Sequence, residues 1–312
     1  MKDKFIKALE ANDLLELQKV NKSDLHNHGT RGGNIKYIEK CYGRSISRLK
    51  FKFKNLNEMQ KWYTKNIKSV CIGTMGYEKR IEAAFTQARN DGVKVLSMSF
   101  GYDESIFYNY SIEKWINVLK TIHKKIAPNV FFIPELGFER GIKGHRAMEI
   151  LDMVSEYEYF KSIDLYGNEF SLPIGDYKKL YKKAKDKGMI LKAHVGEFGE
   201  AESIKEAVEE LELDQVQHGI SAINSKKVMK YLADNEIQLN ICPTSNVFLS
   251  IVKDYKSHPI RKLYDNGIKV TINTDDMIIF NKSVSEEFLN LYNEKIFNGE
   301  ELNNIRENGL NI

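Results

Sequence analysis

Short apolar runs alternate along the chain with longer stretches in which apolar residues return every three or four positions. The runs Ser23–His28, Val93–Phe100, Val130–Gly137, Phe160–Tyr166, Met189–His194, Gln215–His218, Ile237–Ile241 and Lys269–Thr274 read as strands. They are rich in Val, Ile, Leu and Phe. Several are almost continuously apolar, as strands buried on both faces of a parallel sheet are. The stretches Glu78–Asn90, Ile112–Lys125, Asp176–Lys187, Ser203–Leu211 and Ser225–Asp234 carry the helical period. Gly92, Gly188 and Gly267 stand just before the second, fifth and eighth strands, where helices commonly end on a left-handed residue.

Eight strands with helices between them predict an α/β chain folded as a (β/α)8 TIM barrel. A doubly wound open sheet is the rival. The insertion between strands 1 and 2, Gly29 to Asp91, is long enough for several extra helices beside the barrel mouth. Two further helices are expected after Asp276. The length, 312 residues, suits two ordinary domains or one barrel. With five prolines and no linker, repeat or low-complexity stretch, one domain over 1–312 is expected.

Composition narrows the function classes. A hydrophobic share of 42 % supports a large core. The net charge of +4 comes from 47 basic and 43 acidic side chains, scattered along the chain, so neither nucleic acid nor a membrane surface is an expected partner. Three cysteines without a CxxC suggest neither a disulfide framework nor a zinc knuckle. The N-terminal MKDKFIKALEANDLLELQKV lacks a signal peptide's apolar core, and no apolar run approaches the roughly 18 residues of a membrane span. A cytoplasmic protein with a small-molecule partner is expected. No feature sets an oligomeric state.

The polar residues at the strand ends carry the chemistry, because barrel enzymes place their sites at the C-terminal ends of strands. Strand 1 ends in Asp24-Leu25-His26-Asn27-His28. Strand 5 ends in His194, with Glu197 just beyond. Strand 6 ends in His218-Gly219, and strand 8 in Thr274-Asp275-Asp276. Four of the seven histidines thus converge on one mouth; His123, His145 and His258 fall elsewhere and receive no role. His26 and His28 are two apart on a strand, so both imidazoles point to one side and can reach one ion. A pair of packed or surface histidines is the plain alternative. Histidine and aspartate suit zinc.

The segments DLHNHGT, LKAHVGEFGEAESIKEAVEEL, VQHGI, CPTSN and INTDD, in this order, resemble the adenosine deaminase family of the metal-dependent amidohydrolases. The resemblance runs from about residue 22 to the C-terminal helices. It implies one Zn2+ ion held by His26, His28, His194 and Asp275. It makes Glu197 the proton shuttle to purine N1 and His218 the residue that orients the attacking oxygen. Asp276 becomes the partner of purine N7, and the backbone of Gly167, in the strand 4 segment DLYGNE, the donor to N3. His28 would also stand beside the substrate. The implied reaction is hydrolytic deamination of adenosine or a related 6-aminopurine nucleoside.

One departure bears on the substrate. An acid that contacts the ribose 5′-hydroxyl is expected after the HxH; Gly29-Thr30-Arg31-Gly32-Gly33 follows instead, with Thr30 in its place. Thr30 could bond a hydroxyl, and Arg31 could meet a phosphate or stand solvated in a reshaped loop. Strand 4 also lacks a metal-bridging lysine at its end, since Lys161 lies near its start, and this favours one ion. Glu135 is expected at the mouth. Phe51, Phe53, Met59, Trp62 and Tyr63 read as a packing stripe. Hydrolysis of another amide or cyclic amidine, or of a modified purine, on the same metal core is the alternative activity. A non-catalytic binding barrel is the third reading.

Overall fold

The computed structural model describes residues 1–311. Among them, parallel strands lie side by side in chain order: β1 (Lys22–Asp24), β2 (Val93–Gly101), β3 (Phe131–Glu139), β4 (Ser162–Tyr166), β5 (Ile190–Val195), β6 (Gln215–His218), β7 (Gln238–Ile241) and β8 (Val270–Ile272). The sheet curls into the expected barrel, but the seam between β8 and β1 lacks a regular ladder. Side chains stitch it: Leu25 N–H donates to Asn273 Oδ1 at 2.7 Å, and Thr274 N–H to Asp24 Oδ1 at 3.2 Å. Above them Asp275 N–H donates to His26 O at 2.9 Å. The seam therefore sets His26 and Asp275, distant in sequence, side by side.

The strands prove alternating rather than continuously apolar. Leu96, Met98 and Phe100, with Leu191, Ala193 and Val195, face outward and join the main apolar core beneath the helices. The inward positions are polar. Lys192 Nζ lies 2.9 Å from Glu135 Oε2 and donates to Ser97 Oγ at 2.9 Å and to Leu25 O at 3.1 Å. A buried charge persists where it is paired and hydrogen-bonded, as here. This corrects the placement of Glu135 at the mouth: β3 runs on to Glu139, so Glu135 sits mid-strand inside the barrel. Asn240 Nδ2 donates to Gln215 Oε1 at 2.8 Å and Gln217 Oε1 at 2.9 Å. The layer above this floor holds the histidines.

The insertion forms helices Ile35–Tyr42, Leu56–Tyr63 and Gly73–Asn90. Its apolar face, with Phe53, Met59 and Tyr63, packs against Ile278 and Phe280, while Phe51 is 49 % exposed. Phe53, Met59 and Tyr63 are thus packing residues, with Trp62 partly buried against them. After Asp276 come the single turn Met277–Phe280 and helices Val284–Asn293 and Gly299–Asn308, one element more than expected. The helix Gly144–Ser155 fills the expected place between β3 and β4, and the N-terminal helix Lys2–Glu10 precedes the barrel. Among the described residues no helix is long and apolar enough to cross a membrane.

Candidate active site

The chain leaves regular pairing after Asp24, and single bridges hold the residues beyond it: Asn27 to Asp275 and His28 to Ser99. This frees His26 and His28 to face the barrel axis. From β5 comes His194, from the end of β6 His218, and after β8 Asp275. His218 and Asp275 both take left-handed backbone, at φ 65° and 58°. Non-glycine residues held there store roughly 1–3 kcal/mol each, a cost that recurs at functional sites.

Donor atoms of His26, His28 and His194 all lie within 4.8 Å of one another. His26 Nε2 and His194 Nε2 face each other at 3.0 Å. Their other nitrogens decide what that contact is. His26 Nδ1 lies 3.1 Å from the Asn240 carbonyl oxygen, and His194 Nδ1 lies 3.1 Å from Asp164 Oδ1. Both partners are acceptors, so both Nδ1 atoms carry the proton and both Nε2 atoms present lone pairs. Two lone pairs at this distance repel unless an electrophile lies between or beside them. Asp275 Oδ1 closes the set, 3.2 Å from His28 Nε2 and 3.8 Å from His26 Nε2. Ser245 Oγ donates to Asp275 Oδ2 at 2.6 Å and steers the other oxygen toward the histidines. Three imidazoles and one carboxylate, with His26, His194 and Asp275 anchored from behind, suit a divalent metal such as zinc. Lys161 is far from the set, donating to the Glu158 carbonyl at the start of β4.

Glu197 follows His194 across a turn that requires Gly196. A Cβ at Gly196 would lie 2.4 Å from Ile204 Cδ1, and its φ is +71°. Glu169, within the DLYGNE segment, fixes the turn. Its carboxylate accepts the backbone N–H of Gly196, Glu197 and Phe198 at 2.8, 2.9 and 2.8 Å. Three charge-assisted bonds lock the loop that aims Glu197. Burial, with Asp275, Glu169 and Asp276 nearby, pushes the Glu197 carboxyl well above the usual range. Glu197 Oε1 is buried without a hydrogen-bond partner among the described residues, and His218 Nε2 lies 3.4 Å from it.

At the mouth, Arg31 Nη1 donates to Asp276 Oδ2 at 2.8 Å and Nη2 to Gln60 Oε1 at 2.9 Å. Its guanidinium carbon stands 4.5 Å from the Tyr63 ring centroid. The guanidinium is therefore paired rather than free. Asp276 Oδ1 has no partner among the described residues. Burial raises the Asp276 carboxyl while Arg31 opposes the shift. Thr30 Oγ1 lies 3.4 Å from Glu104 Oε1, and Tyr77 OH donates to Glu104 Oε2 at 3.0 Å. Burial, with Asp103 beside it, pushes Glu104 up to about 7. Gly167, at φ +96°, turns the chain out of β4 beside Glu139.

The sequence-derived candidates Glu197, His218, Asp276, His26, His28, His194 and Asp275 thus meet at one end of the barrel. Thr30 and Gly167 stand on the rim loops after β1 and β4. Sequence reasoning missed Asp164 and Glu169, although both lie in a segment it singled out, and His258, which is 4 % exposed.

The adenosine deaminase family model matches residues 144–312. A putative adenosine/adenine deaminase of Treponema pallidum is 31 % identical over 274 residues, 86 % of this chain and 90 % of that protein. Among solved structures, adenine deaminase from Arthrobacter aurescens superposes with a TM-score of 0.80 at 23 % identity, covering 94 % of this chain and 92 % of the other. An amidohydrolase from Burkholderia ambifaria with bound Zn gives a TM-score of 0.77 at 19 % identity, covering 94 % and 85 %.

Proposed function

The chain belongs to the adenosine deaminase family of hydrolases acting on cyclic amidines, and on that premise we propose that it catalyses zinc-dependent hydrolytic deamination of an uncharged 6-aminopurine, adenosine or a close relative. The observation that carries the reading is the juxtaposition of Glu197, a buried carboxyl with an unpartnered oxygen, and the mutually facing lone pairs of His26 and His194. Zinc, bound by His26, His28, His194 and Asp275, would supply the Lewis acidity that makes water a nucleophile near neutral pH.

The protein's side chains do the rest. Water oxygen adds to purine C6, the C6–N6 bond breaks, and ammonia leaves with a 6-oxopurine as the second product. Glu197 holds its proton because burial disfavours the carboxylate. It gives that proton to ring N1 as C6 is attacked, making C6 more electrophilic, and carries the water proton to the departing amine. His218 donates from Nε2 to the attacking oxygen. Asp276 meets N7 through Oδ1; its raised pKa is the direction a carboxyl needs to donate to a ring nitrogen. The Gly167 backbone serves N3, Thr30 a substrate hydroxyl, and His28 lines the pocket beside the purine.

The choice of an uncharged substrate rests on Arg31. Its guanidinium is spent on Asp276, Gln60 and Tyr63, while Glu104 and Asp103 add acid to the same rim. A phosphate would have to draw Arg31 from Asp276 or reach Lys68, whose Nζ stands 5.7 Å from the Tyr63 ring centroid, past these acids. Ammonia release from adenosine, 2′-deoxyadenosine, adenine, AMP and N6-methyl-AMP tests this. One of the uncharged purines should exceed both nucleotides in kcat/KM by at least about tenfold, or roughly 1.4 kcal/mol. Preference for a nucleotide would show that Arg31 turns to the phosphate.

A further inference from the structure

His258 lies in the loop after the helix Pro243–Phe248, with no sequence spacing that ties it to the site. Buried contacts nevertheless wire it to His218, and the direction of each follows from the first. Ile260 N–H donates to His258 Nδ1 at 3.1 Å. A backbone N–H is always a donor, so Nδ1 holds a lone pair and the neutral ring carries its proton on Nε2. Burial keeps the ring neutral, pushing it down to about 3. His258 Nε2 lies 3.2 Å from Asn246 Oδ1, which orients the amide with its oxygen toward His258. Asn246 Nδ2 then faces His218 Nδ1 at 3.2 Å. His218 Nδ1 must accept, and its proton sits on Nε2. That nitrogen points between Glu197 Oε1 at 3.4 Å and Asp275 Oδ2 at 3.9 Å.

We infer that His258 and Asn246 are positioning residues that hold His218 in its Nε2–H tautomer, so that it donates to the reacting oxygen and is barred from the metal. The inference rests on the deaminase reading only for the identity of that oxygen. His26 and His194 are wired in the opposite sense, with Nδ1 protonated and Nε2 bare. The back-side partners thus sort three adjacent imidazoles into two ligands and one donor. Adjacent residues of one short helix aim two different site groups, since Ser245 orients Asp275 and Asn246 orients His218.

The test uses the zinc-loaded full chain labelled with 15N-histidine. Two-bond 1H–15N correlation distinguishes Nε2–H, Nδ1–H and doubly protonated rings, and the His218 signals are those missing in His218→Gln. The wild-type His218 should show the Nε2–H pattern. Asn246→Asp exchanges the donor for an acceptor of the same shape and should move the His218 proton to Nδ1. His258→Leu frees the amide to rotate and should mix the two tautomers, while His258→Gln, which keeps an N–H donor, should restore the wild-type pattern. At equal zinc occupancy, Asn246→Asp and His258→Leu should lower kcat by about 10- to 100-fold with little change in KM. A wild-type His218 protonated on Nδ1, or an Nε2–H pattern unmoved in both Asn246→Asp and His258→Leu, would overturn the inference. A wild-type protein with the Nε2–H pattern that releases no ammonia from any purine would sink the deaminase reading and leave the tautomer assignment standing.

Discussion

Glu197→Gln should retain zinc and the native circular dichroism spectrum yet lose turnover by about 10²- to 10⁴-fold, the usual contribution of a positioned acid–base group. The substitution keeps the size of the side chain and leaves the three bonds from Glu169 to the 196–198 backbone untouched, because these use main-chain N–H groups. It removes one property, the ability to give and take a proton. The buried amide would still hydrogen-bond N1 but could not protonate it. The loss should therefore fall on kcat, with KM within a few-fold. Near-normal kcat in this variant would take Glu197 out of the proton pathway.

The second large effect is expected at Asp275. This is the carboxylate of the proposed ligand set, and it is the acceptor that His28 faces at 3.2 Å. Asp275→Ala should bring zinc content well below one ion per chain after dialysis. Zinc-dependent stabilisation, about 4 kcal/mol for a site loaded at a thousandfold over its Kd, should disappear with it. Alanine at φ 58° also introduces backbone strain, so Asp275→Asn is the informative companion. Asparagine tolerates left-handed backbone and keeps the hydrogen bond from Ser245, but it lacks the charge. Both variants should fail to retain zinc. Stoichiometric zinc in either would show that the metal is held without Asp275.

The barrel was legible because alternating strand and helix periods survive in a single sequence, and because chemistry gathers where strands end. His26, His28, His194, His218, Asp275 and Asp276 were located by that rule, and the resemblance to the deaminase family supplied their roles. What escaped notice depends on contacts without local spacing. Several strands looked almost continuously apolar, yet Lys192, Glu135 and Asn240 make their inner faces polar, since each finds its partner on another strand. Glu135 was misplaced because β3 extends past Gly137 to Glu139. Arg31 looked free because its partners, Asp276 and Gln60, come from distant segments. Glu169 and Asp164 stood in a recognised segment, but their work is on β5 and the turn after it. His258 carries no motif; only folding brings it within reach of Asn246.

The most direct measurement is the mass of the purine product formed by the zinc-loaded wild-type chain in heavy-oxygen water. Hydrolytic deamination predicts a 6-oxopurine carrying one solvent oxygen, formed in equal amount with ammonia. A zinc-replete protein that leaves every 6-aminopurine unchanged, or a product without solvent oxygen, would contradict it.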